Sequence, residues 1–563
     1  MKKSLLLISI YVLVISCNSL DEHSEIKYTG PIAQNGMVVT AHPLASLVGR
    51  QILEKGGNAI DAAIATQFAL AVVYPYAGNL GGGGFMVLRE ANGNTSTLDF
   101  REMAPLAAHK DMYLDEDGEI IENLSIQGHL AAGVPGTVDG MIRAHEKYGT
   151  LPWVDLLMPS VILALQGFAV TDTGVDRLNS KQEEFQLVNT FHPQQFIRDW
   201  QSGDTLIQLD LAATLTRIRD KGRDGFYNGL TAKLILEEMT RGNGIITQED
   251  LDLYEAKWRP AIKATYRDHK IITMPPPSSG GIALIQMLES VEPYALNKIG
   301  HNSADYVHLL VEAERRAFAD RAKYLGDMDF YNVPIVNLID RSYILKRMKS
   351  FDPKLATPSE DIGSGSIQVE SDQTTHFSII DSYGNAVAVT TTLNGAYGSK
   401  VVVGSAGFLL NNEMDDFSIK PGFPNMFGLI GGSANAIEPK KRMLSSMTPT
   451  IIEKDGEILF VTGSPGGATI ITSVFQSVLN IIDFGMSAQE AVTAKRFHSQ
   501  WLPDVITIED GALDENTMAT LRERGHKFLI KDNIGRVDAI KRLKDGNLEG
   551  GADPRGDDKA EGY

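Results

Sequence analysis

Gln373-Thr374-Thr375-His376-Phe377-Ser378 marks the point at which the character of this chain changes. Before it, residues 351–373 are polar, contain two prolines and two glycines and lack an apolar period, which predicts a mobile linker. After it, patterns typical of strands begin, so Thr374 is the first residue of a strand-rich half. Two threonines at the start of a strand are usually structural, and these residues alone favour that interpretation.

The position of Thr374 at this boundary raises a second interpretation. An N-terminal threonine can use its own α-amine as the base for its own hydroxyl, which makes it a catalytic nucleophile. Such a residue arises inside a chain only when the Gln373–Thr374 bond is cut. Self-cleavage at this bond therefore stands as a hypothesis beside the structural one.

Hairpin and helix signals alternate in the half that follows residue 374. One hairpin is predicted from two strand-like runs joined by Asp381-Ser382-Tyr383-Gly384-Asn385, and a second from two runs joined by the turn dipeptide Asp455-Gly456. The predicted strands cover 374–380, 386–393, 448–454 and 457–462, and the predicted helices cover 468–484 and 487–495.

The earlier part of the chain is helical in pattern over most of 130–350, as at 303–325. Residues 46–73 carry apolar residues at helical spacing that Gly56-Gly57-Asn58 interrupts, which predicts two helices with glycine as the stop and Asn58 as the N-cap. The run Gly81-Gly82-Gly83-Gly84 does not match a dinucleotide fingerprint and predicts close backbone packing before a strand. Helix-rich blocks that flank hairpins predict a sheet layer between helical layers.

The composition excludes several classes of function. The chain has 563 residues, of which 52 are Lys or Arg and 71 are Asp or Glu, which gives a net charge of −19. Hydrophobic residues make up 43 % and charged residues 22 %, as in an ordinary globular protein, which excludes wholesale disorder. A nucleic-acid partner is disfavoured because phosphate binding needs clustered Lys and Arg.

The N-terminal sequence has the pattern of an export signal. Met1-Lys2-Lys3 precedes an apolar run over 5–15, which predicts a secretory signal peptide at 1–16 that is too short to span a bilayer. Val14-Ile15-Ser16-Cys17 resembles a bacterial lipobox and predicts lipidation of Cys17, a polar tether over 17–30 and a location in the cell envelope or periplasm. The alternative is a simple cleaved signal with an incidental cysteine. No later apolar stretch of about 20 residues occurs, so we expect membrane contact only through the lipid.

Cysteine and metal chemistry are not expected. Cys17 is the only cysteine, which excludes cysteine nucleophiles, cysteine-based zinc sites and disulfides in the mature chain. The twelve histidines are scattered, and His301 and His308 would lie about 10 Å apart along a helix, too far to share one ion. We therefore expect neither a metal nor a cofactor. The nucleophile motif Gly-x-Ser-x-Gly does not occur, which disfavours an α/β-hydrolase.

Gly463-Ser464-Pro465-Gly466-Gly467-Ala468-Thr469 forms the turn from the second hairpin into a helix. Backbone N–H groups in such a turn suit a phosphate or an oxyanion, although the Gly-Lys-Ser/Thr ending of a P-loop is missing. An anion site and a tight structural turn fit the local sequence equally well.

These features occur together in one known family. The chain resembles the γ-glutamyltranspeptidase family of N-terminal nucleophile hydrolases over nearly all of its mature length, and the joint occurrence of the motifs in this order is highly specific. The matching segments are Gly57-Asn58-Ala59-Ile60-Asp61-Ala62-Ala63, Gly81-Gly82-Gly83-Gly84-Phe85, Asp99-Phe100-Arg101-Glu102, Thr374-Thr375-His376-Phe377-Ser378, Leu409-Leu410-Asn411-Asn412-Glu413-Met414-Asp415-Asp416-Phe417, Ser445-Ser446-Met447-Thr448-Pro449-Thr450 and Gly463-Ser464-Pro465-Gly466-Gly467.

The resemblance implies an α+β fold, a four-layer αββα sandwich, that works without a cofactor. It also implies autoprocessing, in which the Thr374 hydroxyl attacks the carbonyl of Gln373 and hydrolysis of the resulting ester frees the Thr374 amine. The products would be a large subunit, 31–373 after the tether, and a small subunit, 374–563, which form a heterodimer.

Catalytic roles follow from the same resemblance. Thr374 is implied to be the nucleophile, and Thr392 the second threonine that hydrogen-bonds it. Gly466 and Gly467 are implied to form an oxyanion hole, in which each N–H donor would lower the barrier by roughly 3 kcal/mol.

The implied donor is glutathione or another γ-glutamyl compound, and the implied acceptor is water, an amino acid or a peptide. A planar arginine fork suits the α-carboxylate of a glutamyl group, and carboxylates suit its α-ammonium. The implied groups are Arg101, Ser445 and Ser446 for the α-carboxylate and Asn394, Glu413 and Asp416 for the α-ammonium.

Without the resemblance, Arg101 and Asp416 would be an ordinary ion pair at the surface or at a subunit seam, and the two serines would belong to an ordinary loop.

One departure from the family pattern is visible in 421–432, which matches a lid loop present in many members. The tip residue, often a tyrosine that hydrogen-bonds the asparagine of the ammonium site, is Phe427. We expect a shield against water without that hydrogen bond, which leaves the balance between hydrolysis and transfer open.

Three functions remain as hypotheses. The leading one is an autoprocessed γ-glutamyl transferase and hydrolase. The second keeps the fold but changes the acyl group, as in a cephalosporin-acylase-like or poly-γ-glutamate-processing enzyme; Arg101 with Asp416 argues against a glutaryl group, which has no α-ammonium. The third is an unprocessed, lipid-anchored binding protein that uses the same pocket.

Overall fold

The structure is a computed structural model that describes residues 30–362, 374–420 and 422–563. The predicted signal peptide, Cys17, the tether up to residue 29 and Gln373 lie outside these ranges. Within them, no helix has the length and apolar character needed to cross a bilayer, and no group of three or more His, Cys, Asp or Glu side chains is arranged to hold a metal ion.

Two seven-stranded antiparallel sheets form the centre of the fold. In spatial order, the first sheet consists of β1 (Ile32–Ala33), β18 (Leu548–Gly551), β17 (Asp538–Arg542), β13 (Glu457–Gly463), β12 (Thr450–Lys454), β9 (His269–Thr273) and β8 (Ile262–Tyr266). The second consists of β19 (Lys559–Gly562), β2 (Met37–Thr40), β10 (Thr375–Ile380), β11 (Ala386–Thr392), β3 (Gly83–Arg89), β4 (Thr95–Asp99) and β7 (Lys257–Arg259). Two small sheets contain β14 (Phe497–His498), β15 (Ile506–Glu509) and β16 (Phe528–Lys531), and β5 (Phe168–Ala169) and β6 (Thr205–Leu206).

Alternation along the strands divides their side chains between separate cores. Met37 and Val39 of β2 lie in the core between the two sheets, whereas Val38 lies in the core on the outer face of the second sheet. In the first sheet, Ile451 of β12 lies between the sheets and Ile452 lies in the outer core. Each sheet is therefore buried on both faces, which explains why its strands are apolar almost throughout.

Helices cover the two outer faces. α1, α2 and α4 contribute to the outer core of the second sheet, and α10, α12 and α15 to that of the first. This helix–sheet–sheet–helix order confirms the expected α+β fold with four αββα layers. The helices are α1 (Pro43–Glu54), α2 (Ala59–Val73), α3 (Thr137–Tyr148), α4 (Trp153–Gln166), α5 (Asp172–Asn179), α6 (Gln182–Val188), α7 (Leu209–Lys221), α8 (Gly229–Gly242), α9 (Gln248–Leu253), α10 (Gly280–Val291), α11 (Leu296–Ile299), α12 (Ala304–Tyr324), α13 (Ile335–Leu338), α14 (Arg341–Arg347), α15 (Thr469–Ile482), α16 (Ala488–Thr493) and α17 (Glu515–Glu523).

Elements with strong local signals form where the sequence predicts them. The two predicted hairpins are β10–β11 and β12–β13. Asp455 and Gly456 join the second hairpin with φ values of +52° and +84°, as a type I′ turn requires. Asn58 caps α2 by accepting hydrogen bonds from the N–H groups of Ile60 and Asp61.

One hairpin lies within the part of the chain that was expected to be mostly helical. β8 and β9 pair with each other, and β9 also pairs with β12. Their turn uses Arg267 and Asp268 at φ values of +45° and +65°. Because the turn lacks glycine, the usual sequence signal of a tight hairpin is missing.

Residues 351–362 differ from the expected mobile linker because buried partners hold them. The Ser359 hydroxyl donates to the carbonyl of Trp501 at 2.5 Å, and the Trp501 indole N–H donates back to the carbonyl of Ser359 at 2.8 Å. The Thr357 N–H donates to the buried Glu312 carboxylate at 2.9 Å. These partners lie on distant elements, so the composition of the segment does not reveal them. The remaining residues of the predicted linker, 363–373, lie outside the described residues.

The glycine run before β3 is packed against backbone, as predicted. A Cβ atom at Gly81 would lie 2.1 Å from the carbonyl oxygen of Leu409, and one at Gly82 would lie 2.1 Å from that of Thr392. These distances are far inside van der Waals contact, so only glycine fits. The run therefore seats β3 closely beside the end of β11.

Candidate active site

Thr374 stands immediately before β10, a strand that is paired on both sides. β10 pairs with β2 and with β11, and Thr375 lies opposite Thr391. The antiparallel register, continued by one residue, brings Thr374 opposite Thr392. Thr374 is 5 % exposed. It lines a cleft with about 520 Å³ of empty space, partly open to solvent, and Gly466 lines the same cleft.

Thr392 is held in place by amide groups. Its Oγ1 accepts a hydrogen bond from the N–H of Asn394 at 2.8 Å, and its carbonyl accepts one from the Asn79 side chain at 2.9 Å. Asn79 also donates to Thr391 Oγ1 at 3.1 Å and accepts from Thr137 Oγ1 at 2.6 Å. Asn79 was not among the predicted site residues, and its place just before the glycine run is its only sequence signal.

The turn between β13 and α15 presents free backbone donors. Gly466 and Gly467 have φ values of +132° and +53°, a conformation that favours glycine. Within the described part of the chain, their N–H groups donate no hydrogen bond, and α15 has no side-chain N-cap. Unsatisfied donors beside Thr374 favour the anion-site interpretation of this turn over the purely structural one.

Arg101 lies at the centre of a buried acidic cluster. Its Nη1 is 2.5 Å from Glu413 and 3.5 Å from Glu102, and its Nη2 is 2.5 Å from Asp416. Only 1 % of Arg101 is exposed. An ion pair between Arg101 and Asp416 is therefore present, but it is interior rather than at the surface. It also joins a chain segment that precedes Thr374 to one that follows it.

Three carboxylates share this guanidinium, and burial acts on all of them. Burial raises the pKa of Glu102 to about 8, and it raises the pKa values of Glu413 and Asp416 above the ordinary range while Arg101 acts in the opposite direction. Apart from the ion contact with Arg101, the carboxylate oxygens of Glu413 accept no hydrogen bond within the described residues. A ligand that brings N–H donors would satisfy them.

Ser445 and Ser446 lie on the segment that leads into β12, next to a second buried arginine. The carbonyl of Ser445 accepts hydrogen bonds from the N–H and hydroxyl of Ser279 at 2.7 and 2.6 Å. Arg321 donates to Ser446 Oγ at 3.3 Å and to Ser279 Oγ at 2.9 Å. Burial lowers the pKa of Arg321 to about 10. Arg321 was not predicted, because one arginine among the many charges of α12 has no distinguishing pattern.

The described part of the predicted lid, 422–432, lies over the glycine turn. A Cβ atom at Gly467 would be 2.6 Å from the Phe427 ring, and Phe427 is 3 % exposed. Met426 Sδ lies 3.7 Å from Asn394 Nδ2. The ring therefore packs against the glycine turn, and the lid residue that contacts Asn394 is Met426.

Asn425 connects this lid segment to the acidic cluster. Its Nδ2 donates to Asp416 at 2.8 Å, and its Oδ1 accepts from the N–H groups of Phe427 and Leu429 at 3.0 and 3.1 Å. The N–H of Met426 donates to Asp415 at 2.8 Å. The lid and the acidic turn thus form one hydrogen-bonded unit.

His376 lies two residues after Thr374 but is not placed to act as a base for the Thr374 hydroxyl. Burial lowers the pKa of His376 to about 3, so the ring is neutral. Its nitrogens lie 2.9 Å from Thr390 Oγ1 and 3.0 Å from Ser378 Oγ. Both ring nitrogens are engaged, so His376 is not available to Thr374 as a base.

Sequence comparisons agree on one family. The profile described as Gamma-glutamyltranspeptidase matches residues 45–563. The glutathione hydrolase proenzyme of Escherichia coli K12 is 47 % identical over 539 residues, which cover 94 % of this chain and 92 % of the relative.

Solved structures of similar proteins have the same fold as this chain. The Helicobacter pylori gamma-glutamyltranspeptidase structure is 46 % identical with a TM-score of 0.57, and the match covers 58 % of this chain and 94 % of that chain. The cephalosporin acylase structure from Bacillus halodurans is 26 % identical with a TM-score of 0.81 over 98 % of this chain and 99 % of that chain.

Proposed function

Because the chain belongs to the gamma-glutamyltranspeptidase family, we propose that it cleaves itself before Thr374 and then transfers γ-glutamyl groups through that threonine. The protein is an enzyme of the γ-glutamyltransferase and glutathione hydrolase type. The observation that carries the residue assignment is that Thr374 lines one cleft together with Gly466, whose N–H group donates no hydrogen bond within the described residues.

Self-cleavage uses the residue that later performs turnover. The Thr374 hydroxyl attacks the carbonyl of residue 373, the C–N bond breaks and an ester forms. Water hydrolyses the ester, which leaves a carboxylate on residue 373 and a free α-amine on Thr374. The proposed products are a large subunit, 31–373 after the tether, and a small subunit, 374–563.

Turnover follows the logic of an N-terminal nucleophile. The α-amine of Thr374 takes the hydroxyl proton as Oγ1 attacks the γ-carbonyl of the donor. The N–H groups of Gly466 and Gly467 stabilise the oxyanion, the proton passes to the departing amine, and a γ-glutamyl ester remains on Thr374. Thr392 orients the nucleophile. Attack by water or by an acceptor amine on the ester completes hydrolysis or transfer.

Donor recognition is assigned to the buried charges. Asn394, Glu413 and Asp416 hold the α-ammonium of the glutamyl group, which supplies the donors that the Glu413 oxygens lack. Arg101, Ser445 and Ser446 bind its α-carboxylate, and Arg321 adds positive charge behind Ser446. Fixing both α-groups aligns the γ-carbonyl with Thr374, and such positioning lowers the barrier by several kcal/mol.

Acceptor use and location are further parts of the proposal. Amino acids and peptides serve as acceptors in addition to water. Phe427 shields the γ-glutamyl ester from water until an acceptor binds. Residues 1–16 direct export, and Cys17 carries the lipid that tethers the enzyme to the cell envelope. Mass spectrometry of the N-terminal peptide tests this part, since a diacylglyceryl mass on Cys17 is expected and an unmodified or absent cysteine would contradict it.

A second candidate function is release of another acyl group, which the fold shared with a cephalosporin acylase favours. Against it, Glu413 and Asp416 provide a buried acidic site for which a glutaryl group offers no ammonium. We expect release of p-nitroaniline from the γ-glutamyl anilide at least about 100-fold faster than from the glutaryl anilide, since an unpaired buried charge is costly. Equal rates would support the acylase.

The assignment of Thr374 is tested by a matched pair of variants. Thr374→Ala should remain one chain and be inactive, because it lacks the nucleophile for both steps. Thr375→Val is the control, since the Thr375 hydroxyl oxygen has no hydrogen-bond partner within the described chain and valine keeps the shape of the side chain. Thr375→Val should process normally, with the smaller chain beginning at Thr374. A processed and active Thr374→Ala, or an uncut wild-type chain that binds glutamate without turnover, would defeat the proposal.

A further inference from the structure

The cleft at Thr374 has lining residues to which no role has been assigned. Tyr74, Tyr76 and Arg177 line it, and the proposed acyl chemistry uses none of them. The same three residues line an adjoining pocket that is partly open to solvent, whose other walls include Phe168, Val170, Leu178 and the carboxylate Asp557. One set of side chains therefore faces both the nucleophile and a largely apolar recess next to it.

Arg177 lies on α5 and is held by aromatic rings rather than by acids. Its guanidinium carbon lies 4.8 Å from the centre of the Tyr76 ring and 5.1 Å from that of the Tyr74 ring. Within the described ranges, Arg177 has no carboxylate at ion-pair distance and its guanidinium donates no hydrogen bond. The side chain is half-buried, and the aromatic rings position it without a direct ion pair.

The other arginines that line the cleft are already paired. Arg536 lies 3.0 Å from Asp558, and Arg555 lies 2.6 Å from Glu509 and 2.9 Å from Asp553. Among the described residues that line this cleft, Arg177 is therefore the arginine whose N–H donors are available to a ligand. A planar fork with free donors suits a carboxylate.

We propose that Arg177 binds the carboxylate of the amine partner, both the amino acid or peptide that leaves the donor and the one that arrives as acceptor, with Tyr74 and Tyr76 packing against its side chain. This inference rests on the proposed function and adds a second subsite to it. The buried cluster around Arg101 takes the glutamyl part, so Arg177, which lines the cleft at Thr374 and is not part of that cluster, serves the part beyond the scissile amide. Neutral leaving groups gain nothing from it.

The test compares pairs of ligands that differ only in this carboxylate. The donors are a γ-glutamyl dipeptide and its C-terminal amide, and the acceptors are glycylglycine and glycylglycinamide. In the wild-type enzyme we expect kcat/KM to favour the acid of each pair. In Arg177→Gln the acid-to-amide ratio should fall about 10-fold, mainly through KM, because one charge-assisted interaction is lost. Arg177→Lys should retain part of the preference.

Arg198→Gln is the matched control. Arg198 also stacks on an aromatic ring, because its guanidinium carbon lies 4.0 Å from the centre of the Trp200 ring. It lines a different pocket from the cleft at Thr374. It should leave both the activity and the acid-to-amide ratio unchanged. Processing into two chains reports correct folding of each variant.

The outcomes separate the inference from the proposed function. An unchanged ratio in Arg177→Gln, or an equal loss for acid and amide, would overturn the role of Arg177 while γ-glutamyl turnover by the wild type still supports the enzyme assignment. If the wild type hydrolyses neither donor and Thr374→Ala behaves identically, the proposed function fails and the inference falls with it.

Discussion

Asn425 is a single residue on which the geometry of the lid depends. One end of its amide donates to Asp416, and the other end accepts the two N–H groups that turn the chain back over Gly467. Removal of this side chain would leave Asp416 short of one donor and the turn short of one acceptor. The loss would therefore reach both the shield and the ammonium site.

Asn425→Ala should raise KM for γ-glutamyl donors about 10-fold, because a hydrogen bond to a charged group is lost. Protease cleavage within 422–432 should also become faster. Met426→Leu is the control, since it keeps the volume and the backbone hydrogen bond to Asp415, and it removes only the contacts of the sulfur with Asn394 and Asn412. Steady-state kinetics and limited proteolysis measure the two effects. A KM equal to that of the wild type would show that the lid holds without this amide.

Glu102 makes stability depend on pH. Its oxygens accept no hydrogen bond within the described chain, and burial raises its pKa from 4.5 to about 8. Between these two values the folded protein holds a proton that the unfolded chain has released, so this group makes stability fall as pH rises through that window. Glu102→Gln cannot ionise and should show a flatter dependence of Tm on pH between about 5 and 8. Parallel Tm curves for the two proteins would contradict this.

At the scale of elements, two glycines are required for different reasons, Gly82 for close packing and Gly456 for its backbone conformation. A Cβ atom at Gly82 would lie 2.1 Å from the carbonyl of Thr392, whereas one at Gly456 would meet nothing within 4 Å. Gly82→Ala must push β3 away from the end of β11 and should abolish processing. Gly456→Ala bears only the cost of a positive φ, about 1–2 kcal/mol, and should still process. Gel analysis of chain cleavage distinguishes them, and normal processing of Gly82→Ala would refute the packing argument.

At the scale of the whole molecule, the segments before and after Thr374 share both sheets. The strand pairs that join them are β1–β18, β2–β10, β2–β19, β3–β11 and β9–β12. The cut therefore breaks no sheet, and separation of the subunits would open the core between the sheets and both outer cores. We expect the processed chains to elute together in native size exclusion and to separate only in denaturant. Dissociation on dilution in native buffer would contradict the interlocked arrangement.

The sequence predicted what local chemistry determines. Asn58, Asp455-Gly456 and the glycine run 81–84 signal a cap, a hairpin turn and close packing through conformational limits that each residue carries with it. The β8–β9 turn lacks such a residue, and the segment 351–362 is fixed by distant partners, so neither could be inferred locally. The same holds at the candidate site, where Arg177 and Arg321 acquire their surroundings only when the chain folds.

The pairing of β10 on both sides has a consequence for how the enzyme can change. The reactive hydroxyl is at the start of a strand that neighbouring strands hold on both sides. Arg101, Asp416 and Ser446 lie instead on connections outside the long strands. Connections tolerate substitution more readily than paired strands. Selection for a new acyl donor in the laboratory should therefore accumulate replacements in these three connections. The hairpin that carries Thr374 should stay unaltered through successive rounds.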